Sequence, residues 1–261
     1  MRGSLVNLSV ALLTLPLGST RIRVMITELA VPATLVALLL ALGNLTSPLR
    51  IWFGRRSDVR PIAGLHRTWY IVLGIGLMTI GLVVAPSVMF TIPTLGVGGF
   101  VLTFLAFALI GLGINSTTPL YFAIVSDQAN EVQKPRVVAA MFSVLGVGVV
   151  IAAFAIGALL EPFSPERLNL VIFGVTALAL VLAAIGLIGL ERRTDLVKAQ
   201  QEAGFGEVRK LLLNNRDVGL FFVYLLLSFI AIDAQDVILE PFAAFAFGMS
   251  PGETAALTGI L

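Results

Sequence analysis

The sequence contains no cysteine and a single histidine, His66. The absence of cysteine excludes structural disulfides, thiolate metal sites and cysteine catalysis. One histidine does not favour a dedicated transition-metal site. No nucleophile–base constellation occurs, so we do not expect an enzyme. No phosphate-binding G-x-x-x-x-G-K-[ST] motif occurs either. We also expect no nucleic-acid partner.

Charged residues are also scarce: they make up 12% of the chain, against 58% hydrophobic residues and a mean hydropathy of +1.01. A soluble chain of this length needs more polar surface to cover its core. Several apolar runs reach the roughly 20 residues that cross a bilayer as helix. The composition therefore predicts an all-α polytopic membrane protein, with the lipid bilayer as its first partner.

The apolar runs predict seven transmembrane helices and the opening turns of an eighth. The helices are predicted at residues 5–29, 33–49, 68–88, 96–125, 136–160, 168–190 and 218–242, with the eighth starting at 251–261. A polar segment at 191–217 follows the sixth helix. We expect an N-terminal six-helix bundle at 1–190, a cytoplasmic linker at 191–217, and the start of a second bundle at 218–261.

The basic residues are distributed unequally between alternate loops. The N-terminus and the loops after helices 2, 4 and 6 hold 14 of the 17 Lys and Arg residues, and the opposite side holds 3. Because basic loops stay in the cytoplasm, the N-terminus is predicted to be cytoplasmic.

Ionisable residues inside spanning segments are functional candidates, since burying them in lipid is costly. Arg21 and Glu28 lie seven residues apart on one face of helix 1. Asp233, Asp236 and Glu240 form an acidic stripe on helix 7. The two segments also align at an offset of 212 residues, as expected if helices 1 and 7 are repeats of each other. The alternative is that these charges lie at the membrane interface and are hydrated.

Two further polar features carry alternatives. Asn115 begins a run of four polar residues in helix 4, which either binds a ligand or joins helices. The basic segment at 49–70 contains Gly54, Asp58 and Arg67, and pairing of Asp58 with Arg67 would form a latch that biases one conformation of the bundle. The alternative for this segment is a solvated loop that only sets topology.

Several blocks of sequence resemble the PucC/LhaA-like family of major facilitator proteins. The matching blocks include RVMITEL at 23–29, SPLRIWFGRRSD at 47–58 and AQDVILEP at 234–241. The resemblance extends from helix 1 to helix 8. It implies a major-facilitator-like fold of about twelve helices, so a sequence that stops inside helix 8 is interpreted as a fragment or a truncated form.

The family resemblance implies a role in assembling light-harvesting complexes and delivering bacteriochlorophyll in the photosynthetic or intracytoplasmic inner membrane of a bacterium. Light-harvesting or reaction-centre subunits are the implied partners, and a magnesium tetrapyrrole, bacteriochlorophyll or chlorophyll, is the implied cofactor. Magnesium prefers oxygen ligands. The implied pigment-binding candidates are Arg21, Arg23, Glu28, Asn115, Gln235, Asp236 and Glu240. A secondary transporter of a small solute and a structural subunit of a photosynthetic complex remain as alternatives.

Overall fold

The structure, a computed structural model, describes residues 2–44, 46–128, 133–162, 164–191, 214–250 and 253–254. These residues are mostly helical. The elements are α1 (Arg2–Arg23), a π-helical segment (Val24–Glu28), α2 (Ala33–Asn44), α3 (Leu49–Val59), α4 (Thr68–Met89), α5 (Ile92–Leu95), α6 (Val97–Gln128), α7 (Lys134–Leu159), α8 (Pro165–Leu187) and α9 (Arg216–Phe247).

Within the described residues, four helices are long and apolar enough to cross a membrane. They are Thr68–Met89, Val97–Asp127, Lys134–Leu159 and Glu166–Leu187. Their outward faces are apolar, as Leu73 on α4 and Phe142 on α7 illustrate. The prediction of an all-α polytopic membrane protein is confirmed. The linker at 191–217 and the eighth helix at 251–261 lie largely outside the described residues, so the division into two bundles stays a prediction.

The predicted loop at 49–70 is wrong in its first half, because Leu49–Val59 forms the helix α3. A turn at residues 46–48 separates α3 from α2, and Pro48 precedes the first residue of α3. Phe53 and Ser57, one helical turn apart, are buried on the face that packs against α6. The arginines between them obscured this periodicity. Gly54 and Asp58 therefore lie on a helix and not in a loop.

Close contact between α4 and α6 forms the centre of the described bundle. A Cβ atom on Gly113 would lie 2.5 Å from the carbonyl oxygen of Gly74 and would overlap the side chain of Met78. A Cβ atom on Gly81 would lie 2.7 Å from the carbonyl oxygen of Ala106. These glycines allow the two backbones to approach each other, as small residues do between membrane helices.

Buried polar side chains join α1 to its neighbours. The hydroxyl of Tyr121 on α6 donates to Oδ1 of Asn7, and Nδ2 of Asn7 donates to the carbonyl oxygen of Met141 on α7 at 3.5 Å. Oγ of Ser9 donates to the carbonyl oxygen of Ala179 on α8 at 2.7 Å. Each bond satisfies a polar group that would be costly to bury alone.

We predict that G113A destabilises the protein by about 1–3 kcal/mol, because the added methyl group overpacks a contact between backbones. The matched control is G76A, since a Cβ atom on Gly76 meets nothing within 4 Å. Thermal unfolding in detergent measures both variants. Equal melting temperatures for G113A and G76A would contradict the close approach of α4 and α6.

Candidate functional site

A buried arginine holds three helix ends together at one end of the bundle. Arg67, immediately before α4, is 8% exposed. Its Nε atom donates to Oδ1 of Asp58 on α3 at 3.1 Å, and its NH1 group lies 2.5 Å from Oδ2 of Asp127 at the end of α6. The structure thus places Asp58 and Arg67 in an ion pair and adds a second carboxylate. A role of this cluster in bundle motion stays a prediction.

Glu191 caps the N-terminus of α4 from across the bundle. Its carboxylate accepts hydrogen bonds from the backbone N–H groups of His66, Arg67 and Thr68 and from the hydroxyl of Thr68, at 2.7–3.2 Å. Burial by itself raises the pKa of Glu191, but the hydrogen bonds from Thr68, His66 and Arg67 together hold the pKa below its usual value. The first N–H groups of a helix lack partners within the helix, so a carboxylate is stabilising there.

Asn115 lies further inside the bundle and uses both ends of its amide. Its Oδ1 atom accepts from NH2 of Arg50 at 3.0 Å, and its Nδ2 atom donates to Oγ1 of Thr46 at 2.9 Å. The polar run does not interrupt α6, which is continuous across it. Asn115 therefore joins α6 to the α2–α3 turn and to α3. A ligand-binding role for it stays a prediction.

The contacts of α3 show that this helix runs alongside α6. Arg50, near the start of α3, contacts Asn115, whereas Asp58, near its end, shares Arg67 with Asp127. Asn115 and Asp127 are separated by about 18 Å along α6, at about 1.5 Å per residue. Helix α3 therefore runs in the same direction as α6. Arg50 lies deeper in the bundle than the charged end, which Asp58, Arg67, Asp127 and Glu191 form.

The other candidate residues lie on elements that contact each other. Arg21 and Arg23 are in the last turn of α1, Glu28 ends the π-helical segment, and Gln235, Asp236 and Glu240 are on α9. Helix α9 packs against both α1 and the π-helical segment. Gln235 is exposed. The side chains of the other five candidates lie outside the described part of the structure, so their binding roles stay predictions.

The π-helical segment at Val24–Glu28 is a local departure from α-helical geometry. Val24 and Met25 are fully buried, and the backbone N–H of Val31 donates to the carbonyl oxygen of Met25 at 2.9 Å. Ala30 between them has a positive φ of 51°. π-Helical segments of this kind occur often at functional sites. The segment ends α1 directly before α2.

Sequence patterns alone do not indicate the contacts of Asp127 and Glu191 at the charged end, or those of Arg50 deeper in the bundle. Glu191 falls at the start of the predicted linker. Nothing local in the sequence indicates its partners, since they are 123 to 125 residues away in the chain. Asp127 looked like an ordinary polar residue at a helix end. One feature of the sequence could have indicated these residues: all three are on the predicted side of the membrane that holds the basic loops.

The family model described as PUCC protein matches residues 20–261. The chain belongs to the PUCC protein family. It is 32% identical over 273 residues to "Protein PucC" of Rhodobacter capsulatus, covering 100% of this chain and 59% of that protein. It is 29% identical to "Protein PucC" of Cereibacter sphaeroides, covering 99% of this chain and 58% of that protein.

A third relative of the chain has a different name. The "Bacteriochlorophyll synthase 44.5 kDa chain" of Rhodobacter capsulatus is 29% identical over 265 residues, covering 99% of this chain and 60% of that protein. The chain thus spans about three fifths of the length of the curated relatives it matches. The resemblance seen in the sequence blocks is confirmed at the level of the family.

We predict that R67M destabilises the protein by about 2 kcal/mol, because it leaves Asp58 and Asp127 without their shared cation. The loss is smaller than for a fully buried pair, since the Asp127 side chain is 54% exposed. Chemical unfolding in detergent measures the effect, and R136M, at an exposed arginine, is the control. Adding D58N to R67M should recover part of the loss. Equal stability of R67M and R136M would show that the cluster contributes nothing.

We predict that E191Q lowers stability by about 1 kcal/mol at neutral pH, as expected for a weakened helix cap. The folded pKa of Glu191 lies below the unfolded value of about 4.3, so its contribution is present above that pH and is lost as the pH falls through the folded pKa. The difference in melting temperature between wild type and E191Q should therefore shrink in acid. E166Q, at an exposed glutamate of α8, is the control. A difference that does not change with pH would contradict the cap.

Proposed function

We propose that this protein is an assembly factor for light-harvesting or other photosynthetic complexes, and that it binds a (bacterio)chlorophyll-type pigment in the membrane. The observation that carries the proposal is membership of the PUCC family across residues 20–261. The relative named for bacteriochlorophyll synthase supports the link to the pigment. We propose no enzymatic step for this chain. Light-harvesting or reaction-centre subunits are its proposed protein partners.

The donor set of the chain suits a magnesium tetrapyrrole. Such a pigment requires one axial ligand to magnesium, and magnesium prefers oxygen donors. The single histidine, His66, lies in the loop before α4, where its backbone N–H donates to Glu191, so its position does not make it a candidate inside the membrane. The oxygen donors Glu28, Gln235, Asp236 and Glu240 lie on the π-helical segment and α9, which contact each other. Arg21 and Arg23 would donate hydrogen bonds to pigment carbonyl groups.

We further propose that the N-terminus faces the cytoplasm of a photosynthetic bacterium and that the chain resides in its inner or intracytoplasmic membrane. Gly3 lies against Val125, so the N-terminus of α1 is at the same end as Asp127 and Arg67. The loop before α4 and Glu191, four residues after α8, also meet at this end. The start of α1, the loop before α4 and Glu191 thus lie at one end, which supports the orientation expected from the positive-inside rule.

An absorption spectrum of the protein, purified gently from a phototrophic host, tests the proposal. Pigment should co-purify with the wild type and should be lost by at least about tenfold in E240Q or E28Q, since loss of an axial ligand or of its support typically costs 10–100-fold in metal affinity. E166Q is the matched control, because Glu166 is an exposed glutamate in the first turn of α8 and is not one of the candidate residues.

Two results would overturn the proposal. Pigment-free protein that catalyses solute flux in liposomes would favour a secondary transporter. Pigment-free protein that co-purifies at fixed stoichiometry with a reaction centre would favour a structural subunit.

A further inference from the structure

The outward face of α3 combines exposed apolar side chains with arginines. Ile51, Trp52 and Val59 are 66%, 51% and 69% exposed. Arg55 and Arg56 are exposed on the same side of the helix, opposite the buried face of Phe53 and Ser57 described above. A helix face of this composition is typical of the membrane–water boundary, where aromatic rings and long basic side chains are favoured.

The arginines of this face have no carboxylate partner among the described residues. Asp58 and Asp127 pair with Arg67, and Glu191 caps α4. The guanidinium of Arg56 instead lies over the ring of Trp52, with 5.1 Å between its central carbon and the ring centroid. A stacked guanidinium keeps the N–H groups at its edge available, and their planar arrangement matches a phosphate. The face therefore carries positive charge that is not neutralised by the described part of the chain.

The position of this face along the bundle corresponds to the headgroup level. Asp58 is at the charged end, because it pairs with Arg67 immediately before α4. Arg55 and Arg56 lie about 3–5 Å further in along α3, and Trp52 lies about 9 Å further in. The interfacial zone of a bilayer is about 5–10 Å deep. Trp69, in the first turn of α4, is 44% exposed, so both tryptophans of the chain lie near this level.

We propose that the outward face of α3 is a binding site for an anionic phospholipid headgroup. Arg55 and Arg56 bind the lipid phosphate, and Trp52 packs against the upper acyl chains and keeps Arg56 in place by stacking. Charge complementarity selects an anionic lipid over a zwitterionic one, because no carboxylate in the described part of the chain pairs with Arg55 or Arg56. The site is separate from the proposed pigment-binding face on α1, the π-helical segment and α9.

The two tryptophans allow a direct test. The variant W69F leaves Trp52 as the only tryptophan. The full chain is reconstituted into vesicles of phosphatidylcholine and phosphatidylglycerol, with bromine on the acyl chains of either lipid at equal mole fraction. Brominated phosphatidylglycerol should quench Trp52 more than brominated phosphatidylcholine does, to the extent expected if phosphatidylglycerol were enriched about fivefold near the ring. A fivefold enrichment is about the effect of one arginine near an anionic membrane surface. This comparison is made with both arginines intact, so it does not depend on a variant that folds poorly.

Replacing the arginines assigns the site. R55Q/R56Q should remove the excess quenching by the anionic lipid, and R55K/R56K should keep most of it. R136Q/R216Q is the matched control, since it removes two exposed arginines away from α3 and should keep the full excess.

Three outcomes would overturn the proposal. Equal quenching by the two lipids would show that the face does not select charge. Excess quenching that persists in R55Q/R56Q would place the lipid elsewhere. Absence of quenching by either lipid, with Trp52 also shielded from a water-soluble quencher, would show that protein covers this face.

Discussion

The close approach of α4 and α6 is the contact on which the rest of the described structure depends. Because Gly74 and Gly113 have no side chains, the two backbones come together until the carbonyl oxygen of Gly74 lies 2.5 Å from the position that a Cβ atom of Gly113 would take. Membrane helices gain little from burying apolar surface against one another, because lipid is equally apolar. Packing and polar contacts between helices therefore decide which faces meet. The α4–α6 contact also sets the register that brings Asp127 to Arg67.

The charged end follows from that register. Arg67 is buried between two carboxylates, and Glu191 supplies the hydrogen-bond acceptors that the first N–H groups of α4 lack. These contacts join the end of α3, the start of α4 and the end of α6 to one another and to Glu191, which follows α8. Arg50 and Asn115 add a second tie deeper in the bundle. The end that we propose to face the cytoplasm is thus a network of specific polar contacts.

The functional assignments rest on different kinds of support. The proposed assembly role rests on the family, and the proposed pigment-binding face rests on which elements the fold places in contact, namely α1, the π-helical segment and α9. The lipid site rests on described side chains, since Trp52 and Arg56 stack and Arg55 lies beside them on the exposed face. The two proposed sites are distinguishable in experiment, because one is read out by pigment absorption and the other by quenching of Trp52.

Glycines and polar residues show where prediction from the sequence was limited. Gly74-x-Gly76 and Gly146-x-Gly148 both predict close packing. Of these four glycines, Gly74 and Gly148 lie against another helix, whereas Gly76 and Gly146 have no close neighbour among the described residues. Spacing shows that a small residue is present but does not show which side of the helix is covered. The same limit applied to Asn115, because the sequence did not indicate that its amide would contact Thr46 and Arg50. Its ligand-binding role stays a prediction.

The sequence by itself determined the all-α membrane class, the family, and the approximate positions of the four described helices that are long and apolar enough to cross a membrane. These are local properties, because they depend on apolar runs that transfer into lipid and on short sequence blocks. Only the tertiary structure decided that residues 49–59 are a helix along α6, that Glu191 caps α4, and that Arg67 joins Asp58 to Asp127. These contacts link residues far apart in sequence. Their partners depend on how helices pack, which no local pattern of hydrophobicity or charge specifies.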